Sequence, residues 1–348
     1  EAFAPAQLQL SFKGEATGAG ASATTRASAS IQGQAGGTSV DVNLGLDGRL
    51  DAWRSASIDF EAGFGASDGA ALLAQAGIPV LPVAAVGEAR IELGGAGIPE
   101  DGLEGHARIY LGEASLSATG SLSLSGRDGA EYSADVVAKA PDLLPFTLLT
   151  GRLPSLSASS GVLDLVAGLE GKGDTFQLAG LSGSIAGTRI DGDLQVDLRR
   201  ALASLDPRLR GSVSLSHLDL AELGDLVLGA DQLSATADGS WSTAAFGPPI
   251  LSGIDLSLDF AARRMSLAPA PDASDVKGRI GFKDGTMSME ISQAGFAGGD
   301  LTGTYSLKRT EGQANLAASM RISDAELGEL VWERAARPVA TGRMALNL

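Results

Sequence analysis

The sequence predicts a mainly β protein: an elongated, curved antiparallel repeat sheet that forms an apolar groove and carries a few short capping helices. Three observations carry that expectation. Apolar and polar residues alternate along most of the chain, which is the period of a half-buried strand. Glycine beside aspartate or lysine interrupts the alternation, as hairpin turns require. The segment AELGDLV at 221–227 returns as AELGELV at 325–331, which marks an internal repeat.

The strands are read in order. Leu8, Leu10 and Phe12 alternate with Gln and Ser, and Leu122 and Leu124 alternate with Ser. Leu194, Val196 and Leu198 form one set, followed by Val213 with Leu215, then Leu256, Leu258 and Phe260. Met287, Met289 and Ile291, then Leu301, Tyr305 and Leu307, then Leu316, Met320 and Ile322 complete the series. Turn chemistry falls at 46–52, 125–131, 169–175 and 282–288.

Helical period is confined to four short segments, 67–77, 140–151, 218–229 and 323–333, each with an early Ser or Asp able to cap free N–H groups. Pro145 makes the second a single distorted turn. In the third, Leu220, Leu223 and Val227 form one apolar stripe, so Glu222 and Asp225 are expected to face water. The expected division is a β-repeat region at 1–151, one repeat at 152–229, and a second at 230–348 with the sheet continuing beyond it.

Composition narrows the function. A net charge of −16 without clustered Lys and Arg argues against nucleic acid, whose binding needs such clusters. Aromatic residues are only 5%, which suits a thin sheet of Leu, Val, Ile and Ala better than a compact ball. There is no cysteine, so no disulfide framework or thiolate metal site. No run of eighteen apolar residues occurs, and the longest apolar patch, 77–87, holds two prolines.

Chemistry-bearing patterns are weak. His106 and His217 each stand alone among strand residues, which leaves no zinc site. The Gly-rich stretch 14–23 lacks the dinucleotide fingerprint, and 181–188 has the wrong spacing for a nucleophile elbow. Asp191 with Asp193, and Glu100 with Asp101, read as solvated turn carboxylates. The expectation is a non-enzyme with no catalytic residue, metal or cofactor.

A sheet with one apolar face must cover it. Two Trp and Tyr girdles of an outer-membrane barrel are not available from three Trp and three Tyr. A second sheet would make a closed sandwich. A sheet folded lengthwise would instead leave a groove for acyl chains, where a sixteen-carbon tail contributes on the order of 12 kcal/mol at about 0.8 per methylene. Alternation leaves sandwich and groove both open.

The segment 152–227 carries a family resemblance. Leu181, Gly183, Ile190, Gly192, Leu194, Val196 and Leu198 precede a hairpin. Pro207, Leu209, Gly211, Leu218, Asp219, Leu220 and Leu223 follow it. This order resembles the AsmA family of bacterial envelope proteins. Residues 296–331 repeat it more loosely, and the first 150 match only in texture. The resemblance implies the periplasmic part of a protein anchored to the inner membrane by a helix not present in this chain. It implies kinship with bridge-like lipid-transfer proteins, and a role in moving phospholipid between inner and outer membrane and in outer-membrane assembly and integrity. Phospholipid acyl chains are then the expected partner, with both membranes and other envelope proteins contacted through parts outside the chain. The expected groove residues are Leu181, Ile190, Leu194, Val196, Leu198, Val213, Leu215, Leu301 and Leu307. The alternative is a structural β-sandwich or adhesin-like repeat without a lipid ligand.

Overall fold

The computed structural model describes residues 6–17, 24–75, 87–124, 129–142, 161–197, 208–229, 246, 254–267, 270–310, 313–330, 333–334, 337–338 and 340–348. The protein is mainly β. Nineteen strands belong to one open, predominantly antiparallel sheet, and two more form a separate ladder. The chain divides into two compact units, one of 1–153 with 159–179 and one of 154–158 with 180–348.

The first unit holds β1 (Gln7–Thr17), β2 (Thr24–Ala35), β3 (Thr38–Gly48), β4 (Ser57–Ala66) and β5 (Ala89–Ile98). It continues with β6 (Gly102–Leu111), β7 (Ala114–Ser123), β8 (Glu131–Ala140) and β9 (Leu163–Lys172). Each strand pairs antiparallel with the next, and no register shift interrupts any of these ladders. The β2–β3 turn is Gly36–Gly37, both at positive φ, the backbone of a two-residue hairpin whose twist matches the flanking strands. A 3-10 helix, Leu50–Ser55, occupies part of the predicted 46–52 turn.

Helix α1 (Gly69–Gln75) lies within the predicted 67–77 segment. Asp68 Oδ1 accepts from the amides of Ala70 and Ala71 at 3.0 and 3.4 Å, satisfying the first-turn donors. Its far end is held by Gln75, whose Nε2 donates to Gly36 O at 3.0 Å and whose Oε1 accepts from Thr38 Oγ1 at 2.8 Å. Leu72 and Leu73 then pack on Ala66, Ala89 and Leu111, at one set of strand ends.

The division between units falls within β10 (Thr175–Ile185). The second unit continues with β11 (Thr188–Asp197), β12 (Arg208–Leu215), β13 (Leu218–Asp219) and helix α2 (Leu220–Leu228). Then come β14 (Asp255–Leu267), β15 (Ala270–Lys283), β16 (Thr286–Phe296), β17 (Gly299–Thr310) and β18 (Gln313–Glu326). Helix α3 (Leu327–Leu330), the small ladder of β19 (Glu333–Arg334) with β20 (Arg337–Pro338), and β21 (Arg343–Asn347) complete it.

Two pairings depart from the antiparallel expectation. β12 and β13 both run parallel to β14. Parallel neighbours need a crossover, and α2 lies in that crossover, packed on β14, β16 and β17. Asp219 Oδ1 caps α2 by accepting from Ala221 and Glu222 amides at 2.8 and 3.2 Å. The other end is held by Arg309 of β17, whose Nη1 donates to Leu228 O at 3.1 Å. Val227 and Leu228 are fully buried. Glu222 faces water as expected, but Asp225 is buried. The helix is seated through its C-terminal turn, which rotates position 225 toward the sheet.

The internal repeat is a repeat of ladder. Ala186–Gly187 between β10 and β11, and Ala297–Gly298 between β16 and β17, are matching left-handed turns with alanine in the strained first place. Counted from these turns, Tyr305 stands where Leu194 stands, pairing with Ala318 as Leu194 pairs with Gly211. α2 and α3 start at the same distance beyond those partners. The AELG echo itself does not align with them. In the second copy Ala325 and Glu326 are still strand, paired with Met344 and Arg343 of β21, and α3 has only four residues. Glu326 occupies the ladder place of the capping Asp219, and its amide donates to Ala297 O at 2.7 Å. Of the short helix expected within 323–333, the described residues show one turn at 327–330. The expected segment 140–151 lies largely outside the described residues.

Candidate functional site

Registers in the first unit place side chains in rows that cross all nine strands. One row reads Phe12, Ala29, Leu44, Phe60, Gly95, Gly105, Gly120, Ala134, Leu169. Its neighbour begins at Leu10 and Ile31 and runs through Leu93, Ala107 and Ala118 to Val136 and Ala167. A third starts at Leu8 and includes Phe64, Ile91, Ile109 and Leu116. A fourth starts at Gly14 and includes Ile58, Leu103, Leu122 and Tyr132. All positions in the four rows are apolar or glycine, apart from the Tyr132 hydroxyl. Burial and the nearby Asp174 charge raise the Tyr132 pKa, so it stays neutral.

Not one residue of these rows is buried. All are half-buried or exposed, with Leu10 and Phe12 each 70% accessible. The reverse face is polar: Gln32, Asp41, Glu92 and Arg108 make one row, and Asn43, Glu61, His106 and Thr119 lie in the next. Surface ion pairs such as Arg26 with Asp47 at 2.6 Å and Arg90 with Glu92 at 2.8 Å sit there. Some glycines on the apolar face are covered by rings: a Cβ on Gly171 would stand 2.5 Å from the Tyr132 ring, and one on Gly95 3.0 Å from Phe60. At these two positions the ring stands over the neighbouring glycine backbone.

Corresponding apolar rows in the second unit are largely packed. Val196, Leu209, Leu256, Phe282, Met287, Leu307 and Leu316 align across seven strands. Phe260, Met265, Met287, Leu301 and Leu307 are buried in one cluster with Val227 and Leu228 of α2. Leu209 and Leu256 of that row are half-buried, and at β18 Leu316 is 48% exposed.

Among the residues expected to line a groove, Val213, Leu301 and Leu307 belong to this packed cluster. Leu181 and Val196 are buried, and Ile190, Leu194 and Leu215 are half-buried against its edge. Leu198 lies outside the described residues. The open apolar face of the first unit contains none of them. Its signal in the sequence is faint because Gly and Ala fill many of its positions.

Carboxylates expected as turn residues serve the polar face. Asp191 accepts from Ser182 Oγ at 2.8 Å, Asp193 from Gly180 N at 2.9 Å, and Glu100 from Ser55 Oγ at 2.7 Å. Among the described residues, no cluster of three His, Cys, Asp or Glu is placed to hold a metal. No described helix is long and apolar enough to cross a membrane.

In class, then, this is an open-sheet β protein whose short helices act as covers. Comparison with protein-family models, with curated proteins and with solved structures finds no match.

Proposed function

We propose that the apolar face of the first unit seats phospholipid acyl chains. On this reading the chain is the periplasmic part of an AsmA-like protein, anchored to the inner membrane elsewhere, that carries phospholipid between inner and outer membrane and supports outer-membrane integrity. One observation carries the reading: four uncharged rows cross nine strands and none of their residues is buried. With about 4.8 Å between strands and about 6.8 Å between same-face residues, the rows cover on the order of 1,200 Å². Monomeric proteins rarely expose more than a few hundred. Rows that run across the strands suit a long unbranched chain, because each buried methylene contributes about 0.8 kcal/mol wherever it lies.

The packed cluster under α2 favours a structural role for the second unit, so the seat is assigned to the first alone. Protein purified without harsh detergent should carry extractable phospholipid by native mass spectrometry. Ala118→Asp places a charge in the middle of the apolar rows and should abolish that lipid while leaving the fold intact. Thr119→Asp, on the reverse face, should retain it. Lipid-free wild-type protein, or equal lipid in both variants, overturns the proposal.

A further inference from the structure

The polar face of the second unit contains a recess of about 430 Å³ whose lining includes Arg189, Arg263, Lys277, Asp191 and Asp275. Topology brings these residues together. Ser216 N donates to Arg189 O at 3.0 Å, and Arg189 N donates to Ser216 Oγ at 2.9 Å, which fixes the end of β11 beside the residue after β12. The parallel β12–β14 register reaches Leu215 opposite Ala262, so Ser216 falls beside Arg263. Lys277 stands opposite Ala261 on β15. Beside it, the β15–β16 ladder slips between Ser274 and Lys277, and Asp275 takes a left-handed φ of 49°. Such a bulge re-aims the side chains around it.

The charge pattern is unusual for this protein. The chain carries 42 acidic against 26 basic residues, and many described bases are taken up in ion pairs, including Arg26, Arg208, Arg264 and Arg279. Among the described residues, Arg189, Arg263 and Lys277 make no such pair and donate no side-chain hydrogen bond, yet all three line one recess. Asp275 falls opposite Arg263, between the pairs Ala262–Val276 and Arg264–Ser274, and Asp191 accepts a hydrogen bond from Ser182. Three cations held near one another repel, and the two carboxylates of the lining, Asp191 and Asp275, offset that charge only in part.

We propose that this recess binds a phosphate-type oxyanion, carried either by a small soluble phosphomonoester or by a phosphate headgroup. Arg263 and Lys277, diagonal neighbours on adjacent strands, grip the oxyanion from one side. Arg189 approaches from the other, with the Ser214 hydroxyl as a further donor; charge-assisted hydrogen bonds of this kind are the strong ones. The site uses none of the residues that carry the acyl-chain reading, so it stands independently of it.

The test uses the 348-residue chain and glycerol 3-phosphate in calorimetric titration at low salt, with vesicles of phosphatidylcholine, with and without phosphatidic acid, as a second arm. Saturable binding that weakens as salt rises is expected. Arg263→Gln and Lys277→Gln should each weaken it about tenfold. Asp275→Asn should tighten it severalfold by removing a repelling carboxylate, an effect no structural role would produce. Arg210→Gln, outside the recess, should change nothing. These side chains are exposed, so thermal unfolding should not move. Binding to the soluble ester alone assigns a soluble phosphate, whereas binding to phosphatidic acid vesicles that fails in the same variants assigns a headgroup. Absence of binding in both arms, or affinities indifferent to residues 263, 275 and 277, overturns the site.

Discussion

Leu10 in the first unit and Leu301 in the second both alternate with polar neighbours on antiparallel strands, yet Leu10 is 70% exposed and Leu301 1%. The contrast extends to whole faces. In the first unit α1 covers Ala66, Ala89 and Leu111 at the strand ends, with Phe64 and Ile91 of the third row packed partly against them, and the residues of the four rows stay half-buried or exposed. In the second, a parallel crossover lays α2 across β14, β16 and β17, and large side chains fill the space beneath. All five methionines of the chain fall in this unit, where a flexible thioether suits irregular gaps between helix and sheet. A face is therefore open or closed according to what the connections deposit on it. Alternation decides only which residues share it.

The widest separation between the units should come from charge insertion. Leu301→Asp buries an unpaired carboxylate under α2 and should cost about 4 kcal/mol or prevent folding. Leu10→Asp should stay within about 0.5 kcal/mol. Chemical denaturation of the two variants measures the difference, and similar costs would dissolve the distinction between faces.

Val196 tests the margin of the packed region. It is 7% exposed, so Val196→Asp should lose about 2–3 kcal/mol, while Gln195→Asp on the reverse face loses less than about 0.5. A stable, folded Val196→Asp protein would extend the open surface into the second unit.

Capping sharpens the comparison of α2 with α3. Asp219→Ala should cost about 1 kcal/mol through loss of the carboxylate oxygen that accepts from two amides. Glu326→Ala, at the same ladder place but without that role, should be near neutral. Equal losses in urea unfolding would remove the capping explanation for their different lengths.

The smallest effect concerns acidity. Glu222 reaches water at its surface, yet partial burial raises its pKa from the usual carboxylate value, Asp219 adds to the rise, His217 opposes it and Asp225 adds a little more. The charged form is thus disfavoured in the folded protein. Its cost is absent below the unfolded pKa, grows between the unfolded and the folded pKa, and is complete above the folded one. Glu222→Gln should flatten this part of the stability profile and raise the neutral-pH Tm slightly. An unchanged profile would mean that the carboxylate is solvated.

Much of this architecture was legible in the sequence. Period two marked Leu194 with Val196 and Met287 with Met289, and Asp284–Gly285 marked the β15–β16 hairpin by residues that accept positive φ. The repeat was visible too, but its echo misled about α3, because β21 pairs with Ala325 and Glu326 and a neighbouring strand is a long-range fact. Asp225 was misplaced for a related reason: a helical wheel gives periodicity, and the Arg309 contact that seats the C-terminal turn comes from β17. The open rows were the least legible. Gly95, Gly105 and Gly120 look like turn punctuation until register sets them in line with Phe60.

Unshifted register in the first unit has a further consequence for length. Because every strand presents the same four-position cross-section, a whole hairpin is an interchangeable module, as in other quasi-one-dimensional repeats. A chain lacking residues 89–113 would bring β7 into the place of β5, with Leu116 opposite Phe64, Ala118 opposite Ala62, Gly120 opposite Phe60 and Leu122 opposite Ile58, the last four being the present partners of Ile91, Leu93, Gly95 and Gly97. Ala114 would inherit the buried place of Ala89 beside Ala66. The span of such a protein is then set by counting hairpins, so it can grow or shrink by duplication and deletion without redesigning any one strand.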